Sequence, residues 1–539
     1  MQKSLSCSFF LAVAGCLLAA QPSIAADGIT GNLASVKWLD SNLNNPDVLV
    51  LDVSPAQIYK TKHIPGAVSV DLMSWYGIQE MPLPDMERLY QTWGISPGKK
   101  IVMYDQGGTF LATRLFFSLY YHAFPAADLL VLDGGLSKWQ EAGFPVTKDV
   151  AATPTKGSFR ITKVNEDVRA RLPEFLTASG DQVNSALVEA LGPEWHFGEV
   201  APFDRAGHPP NGIMLPSADF FNPDKTFKSA EDLTRMLKYL GIRRDQQIYS
   251  YCGGGVAASV PFFALKFVVN YPQVKLYKES EMGWMSDERG LPYWTYDSPR
   301  LMRETKWLQL WTDERIRAFG GAQASIVDVR PASAFNEGHV RFAVNVPADV
   351  FKSSLGDPAR LADMLGKAGV DSSHEAVVVS GGGLTKDAAL AFVALEKLGQ
   401  KKVSVFMDAM DKWVTGGLTV KKDVSASVRP TTYAREFRND VIVADPKSTQ
   451  GVYPKIFIAS GETVSAKAQD GTVVHVPYTD LLNTDGTPKA AKDIWNILTK
   501  AGVPRYAELV CFSDDPGEAA VNYFILKLMG YPDIKVLMP

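Results

Sequence analysis

The stretch QQIYSYCGGGVAASVPFFALKF, Gln246–Phe267, places a cysteine between two kinds of pattern. Ile248–Tyr251 is a short β-type run that ends at Cys252. Gly253, Gly254 and Gly255 follow, and a helical pattern begins after them. The same grammar occurs in WGISPGKKIVMYDQGGTFLATR (93–114), AGVDSSHEAVVVSGGGLTKDAA (368–389) and AGVPRYAELVCFSDDPGEAA (501–520). Each is a helix ending in Gly-Ile or Gly-Val, a polar turn, an apolar strand, then one residue opening a small-residue loop. Those opening residues read as Asp105, Cys252, Ser380 and Cys511. Comparable intervals indicate a tandem array of similar domains. Strands alternating with helices indicate βα units around mostly parallel sheets.

Each repeat has an upstream half. VLVLDVSPAQIYKTKHIPGAVSVD (48–71) is a strand ending at Asp52, a helix start and an HIPGA turn. SIVDVRPASAFNEGHVRFAVNVP (325–347) keeps the same separation between Asp328 and His339 as between Asp52 and His63. In SALVEALGPEWHFGEVAPFDRAGHPPNGIMLP (185–216), Glu189 takes the place of the strand aspartate and an insert precedes His208. The fourth half is worn: DVIVADPKSTQG (440–451) reads as a strand with Asp445, and VVHVPYTDLL (473–482) as the next strand.

A chain of 539 residues exceeds one core, and its net charge of −4 gives no sign of a nucleic-acid partner. After the N-terminus no uninterrupted apolar run is long enough to span a membrane. The N-terminus itself carries Lys3, an apolar stretch Phe9–Ala20 and small residues at Ser23 and Ala25. This predicts a secretory signal over residues 1–25 and a periplasmic or secreted protein. VAGC (13–16) offers the rival of a lipid anchor at Cys16. Cleavage after Ala25 leaves two of the four cysteines, Cys252 and Cys511. In an oxidising compartment these are paired or used, so a disulfide between them is the structural alternative to a reactive thiol.

The combination of strand aspartate, HIPGA turn and strand-loop cysteine resembles the rhodanese-type sulfurtransferase family, the thiosulfate and 3-mercaptopyruvate group. The closing stretch LDGGLSKWQEAGFPV (132–146) belongs to the same signature, which recurs with decay at 278–293 and 406–420. The resemblance covers nearly the whole mature chain and implies four rhodanese-like domains: 27–150, 151–300, 301–425 and a degenerate 426–539. It implies that Cys252 is catalytic and that the domains opening on Asp105 and Ser380 are inactive. It also implies that the first two domains form one catalytic unit, moving sulfur from a small donor to a thiol or cyanide without a cofactor.

Sulfane-sulfur transfer needs a thiolate that attacks sulfur and then holds a persulfide. Glycines 253–255 let backbone N–H groups converge on Cys252 at the positive end of the following helix, an anion cradle around a nucleophile. The uncharged loop CGGGVA, Cys252 to Ala257 with Val256 inside it, resembles the mercaptopyruvate type more than the cationic thiosulfate type. Arg205 stands where relatives often have a basic residue and is the candidate for the donor's carboxylate or sulfonate, whereas Leu191 replaces an expected arginine. Cys511 is a possible second thiol, disfavoured by Asp514, Asp515 and Pro516 in its loop.

The related phosphatases need an arginine-ended loop, and Val256–Ser259 contains none. The seven histidines show no ligand spacing with the cysteines, so no metal is expected, and the GGG loops lack dinucleotide spacing. A non-catalytic alternative is a periplasmic binding or chaperone protein for sulfur, selenium or tellurium species.

Overall fold

A computed structural model describes residues 28–538, except 73–80, 150–152, 202–203, 319–323, 424–427 and 465–470. The leader, Cys16 and the domain boundaries near 150 and 425 lie outside the described residues. Four separate parallel sheets occur along the chain. The second is built from Arg169–Ala170, Ser185–Glu189, Gly212–Met214, Gln247–Tyr251 and Val274–Tyr277. Numbered along the chain, its strands lie side by side in the order 1-5-4-2-3, and the third and fourth sheets repeat that order. The first sheet repeats it too, with the antiparallel strand Ile29–Thr30 added at its edge.

The central strands are nearly all apolar because helices cover both faces of each sheet. Helix Leu111–Tyr121 of the first unit packs on Ser259–Phe263 of the second and on the π-helical turn Ala264–Val268 that continues it. Phe116 meets Phe263 and Phe117 meets Phe262 edge-on, with centroids 4.9 and 5.0 Å apart. One hydrophobic core therefore runs through both units. Helix Lys386–Lys397 and helix Pro516–Leu528 join the third and fourth units in the same way, with Phe392 edge-on to Phe524 at 5.0 Å. The fourth unit also docks on the second. Trp495 stacks on Phe197, and Arg505 pairs with Asp219 at 2.5 Å.

The fourth unit departs from the sequence reading in two places. Its second strand is Lys455–Ala459, and Asp445 caps a short turn after the edge strand Ile442–Val443. Cys511 lies inside strand Glu508–Phe512, paired with Ile458 and Val536, and does not open a loop.

Candidate active site

One hydrogen bond fixes the register of all four loops. The residue after the second strand donates its N–H to the last residue of the fourth: Val53 to Tyr104, Ala190 to Tyr251, Val329 to Val379, Ser460 to Phe512. The loops therefore open on Asp105, Cys252, Ser380 and Ser513. Cys511 corresponds to Ser250, two residues inside its strand, where burial pushes its thiol far up. Cys511 therefore does not stand at the loop-opening position expected of a second thiol. Both cysteines are free, so the disulfide alternative fails as well.

Cys252 is buried, with its Sγ accepting the Gly255 N–H at 3.1 Å. Of the three glycines only Gly255 needs to be one. Its φ is +78°, and a Cβ there would fall 2.9 Å from the Lys278 carbonyl carbon. Gly253 has open space, and Gly254 faces the Met282 sulfur. Helix Ser259–Phe263 starts beyond Val256–Ala258, so the observed donor to sulfur is the loop amide, not the helix end.

A turn from the closing signature braces this loop. Cys252 N–H donates to Ser280 Oγ at 3.1 Å, Glu281 N–H to Cys252 O at 3.0 Å, and Met282 N–H to Gly253 O at 3.0 Å. Ser280 holds φ +52°, where the first unit has Gly135 at φ +55°. A serine in the left-handed region is strained, and its hydroxyl on the Cys252 amide is what the strain sustains.

The first unit supplies the comparison. Asp105 Oδ1 accepts Gly107 N–H at 2.8 Å, and Oδ2 accepts Ala112 N–H at 3.0 Å. That loop thus cradles a carboxylate of its own where the second unit presents sulfur. Arg114, on the first unit's helix, is fully buried within electrostatic reach of Cys252.

The strand acids differ in their partners. Asp52 Oδ1 accepts Ser54 N–H at 2.9 Å, and Asp328 holds the Arg330 guanidinium. Leu191 cannot do this for Glu189. The longer Glu189 reaches His196 Nδ1 instead, and His196 Nε2 bonds Asp297 Oδ1 at 2.7 Å. His196 stacks on His208, centroids 3.6 Å apart, as Tyr59 stacks on His63 and Phe335 on His339. Burial alone would lower His196, but Asp297 and Glu189 hold it up at about 9. Burial and the His196 charge push His208 down to about 4. Glu281, buried against Glu189, is raised far above an ordinary carboxyl by burial first and by the Glu189 charge second.

Sequence reasoning missed His196, Ser280, Glu281 and Asp297. The insert between Glu189 and His208 hides His196, which stands in the stacking place of Tyr59 and Phe335. Glu189, His196 and His208 each offer a ligand atom within 4.8 Å of the others. The two rings are parallel to within 2°, so their nitrogen lone pairs run side by side instead of converging. This is hydrogen-bond geometry, not a ligand set. Arg205 donates to Leu291 O at 2.5 Å and lies over the Tyr293 ring, one neighbour removed from Glu281.

The parallel sheet with a glycine-turned loop around a buried cysteine defines an α/β protein that holds a thiol at the end of a central strand. A rhodanese-like domain model matches residues 35–142 and 312–415. The sulfur carrier protein TtuD of Thermus thermophilus is 32% identical over 267 residues, covering 47% of this chain and 93% of that protein. A probable 3-mercaptopyruvate sulfurtransferase of Pseudomonas aeruginosa is 30% identical over 283 residues, covering 48% and 97%. The chain belongs to the rhodanese-type sulfurtransferase family. The two matched segments are the units whose loops open on Asp105 and Ser380.

Proposed function

We propose that the chain is a sulfurtransferase of four rhodanese-like units whose catalytic centre is Cys252. The Cys252 thiolate attacks the outer sulfur of a small donor. A bond to that sulfur forms, the donor's own bond to it breaks, and the electron pair leaves with the remainder of the donor. The persulfide then gives its terminal sulfur to a thiol or cyanide acceptor, which restores the thiolate. The observation carrying this reading is the Gly255 N–H on Cys252 Sγ in a loop whose counterpart cradles the Asp105 carboxylate. The first unit completes the site from across the shared core, through the buried Arg114.

A loop without cations favours 3-mercaptopyruvate or an organic persulfide over thiosulfate. Arg205 reaches a donor carboxylate only by leaving Leu291 O. We place the protein in the periplasm or outside the cell on its N-terminal pattern. The test is thiocyanate formation from each donor with cyanide, together with mass detection of one added sulfur on Cys252.

A second reading, a sulfur carrier without turnover of its own, is favoured by the burial of Cys252 and by the likeness to the Thermus sulfur carrier protein. Loading of Cys252 without multiple turnovers with any thiol acceptor would select it.

A further inference from the structure

The buried acids and imidazoles of the second unit form one connected line. Glu281 donates its backbone N–H to Cys252 O, and its buried carboxyl lies within electrostatic reach of Glu189. Glu189 bonds His196, and His196 bonds Asp297. Asp297 then packs on the fourth unit: a Cβ placed on Gly530 would fall 2.5 Å from the Asp297 carboxyl carbon. Next to this contact Ser298 N–H donates to Leu528 O at 3.1 Å, and Phe197, adjacent to His196, stacks on Trp495. The line therefore begins at the sulfur loop and ends at the seam with a unit whose loop opens on Ser513 instead of a cysteine.

We propose that Glu281, Glu189, His196 and Asp297 are positioning residues that hold protons behind Cys252, and that the fourth unit sets their state through Gly530. This deepens the reading of Cys252 as the sulfur-bearing residue and rests on it. The physical argument is electrostatic reciprocity. Negative charge at Cys252 strengthens proton binding by Glu281, so a proton held on Glu281 favours negative charge at Cys252 by the same amount. Glu281 is faced by Glu189, Tyr251, Cys252 and Tyr293, with Arg205 behind Tyr293. His196 is faced by Glu189, Asp297 and His208. Removing Asp297 from His196 weakens the imidazolium, leaves Glu189 competing for the Glu281 proton, and changes the charge behind sulfur. A unit whose loop opens on Ser513, with its one thiol buried inside a strand, thereby has a function that its retained fold can perform.

The test uses the full chain and two matched alanine substitutions in the fourth unit. Gly530 and Gly502 both sit in the left-handed region, at φ +81° and +88°, but a Cβ on Gly502 meets nothing within 4 Å. Gly530→Ala displaces Asp297 and Gly502→Ala does not. Two readouts need no sulfur donor: the titration of the His196 imidazole by NMR, assigned with His196→Gln, and the pH dependence of Cys252 alkylation by iodoacetamide. The wild type is expected to titrate His196 near pH 9. Gly530→Ala and Asp297→Asn are expected to lower that midpoint by one unit or more and to move the alkylation midpoint by half a unit or more. Gly502→Ala leaves both in place, and Glu281→Gln abolishes the coupling between them. A wild-type His196 titrating near 6.5, or equal behaviour of the two glycine variants, overturns the proposal. Loss of sulfur transfer in every assay with these shifts intact would instead count against the catalytic reading alone.

Discussion

Replacing Gly255 and Gly253 separately by alanine tests whether one glycine, not three, shapes the sulfur loop. At Gly255 the φ of +78° costs an alanine about 1–2 kcal/mol. The new Cβ falls 2.9 Å from Lys278 C and 3.0 Å from its Cα, backbone that the neighbouring strand holds in place. Relieving that overlap adds about 1–3 kcal/mol, so the variant should lose about 2–5 kcal/mol of stability. Relief by moving residue 255 also takes its N–H from Sγ, now 3.1 Å away, so sulfur loading should fall more than stability. At Gly253 nothing lies within 4 Å and φ is not positive. Alanine there should be neutral or stabilise by about 0.4–1 kcal/mol through the unfolded chain. Urea unfolding followed by fluorescence gives the first quantity, and persulfide formation on Cys252 gives the second. A Gly255→Ala protein with wild-type stability and loading would refute the argument, as would equal losses at both positions.

Cys252→Ala should abolish thiocyanate formation from every donor while circular dichroism stays unchanged, because Gly255 and Ser280, not the thiol, shape the loop; residual turnover above background would move the site elsewhere. Glu281→Gln should alter stability in a pH-dependent way. The folded Glu281 keeps a proton that the unfolded chain releases near its ordinary value, so wild-type stability falls as pH rises above about 4.5. The variant lacks this loss and should gain on the wild type by at most about 1.4 kcal/mol per pH unit between pH 5 and 9 in urea titrations. A constant difference across that range would show that Glu281 is ionised in the fold. Fragment 28–300 should fold and load sulfur, whereas 153–300 alone exposes Phe262 and Phe263 and should fail in both; a folded, active 153–300 would make the first unit dispensable.

The order of elements was legible because each central strand is bounded by a Gly-Ile or Gly-Val turn and a small-residue loop, and such punctuation survives drift. Even so, the register of the fourth unit was misread. In ELVCFSDD the residue that looks chemical, Cys511, precedes the residue that opens the loop, Ser513. Only the amide of Ser460 on Phe512 O separates them. The strand Lys455–Ala459 escaped notice because Ala459 stands where the other units have an acid, removing the marker by which those strands were recognised.

The site was legible where one residue carried the signal and hidden where a relation did. Cys252 and Gly255 are visible as a motif. Glu189 was visible only as a substitution for aspartate, and its consequence depends on residues distant in sequence. One extra methylene lets the carboxylate reach past its own turn to His196. The insert before His208 supplies that imidazole where Tyr59 and Phe335 serve merely as stacking faces. Glu281 arrives from the closing signature, at the place of Leu136 in the first unit, and brings its acid against Glu189. Each change alone would bury an uncompensated polar group, costing about 1–3 kcal/mol or more. Together, Glu189, His196 and Asp297 pair with one another. Three departures from the pattern of the neighbouring units, converging on one cysteine, are better accounted for by use than by decay.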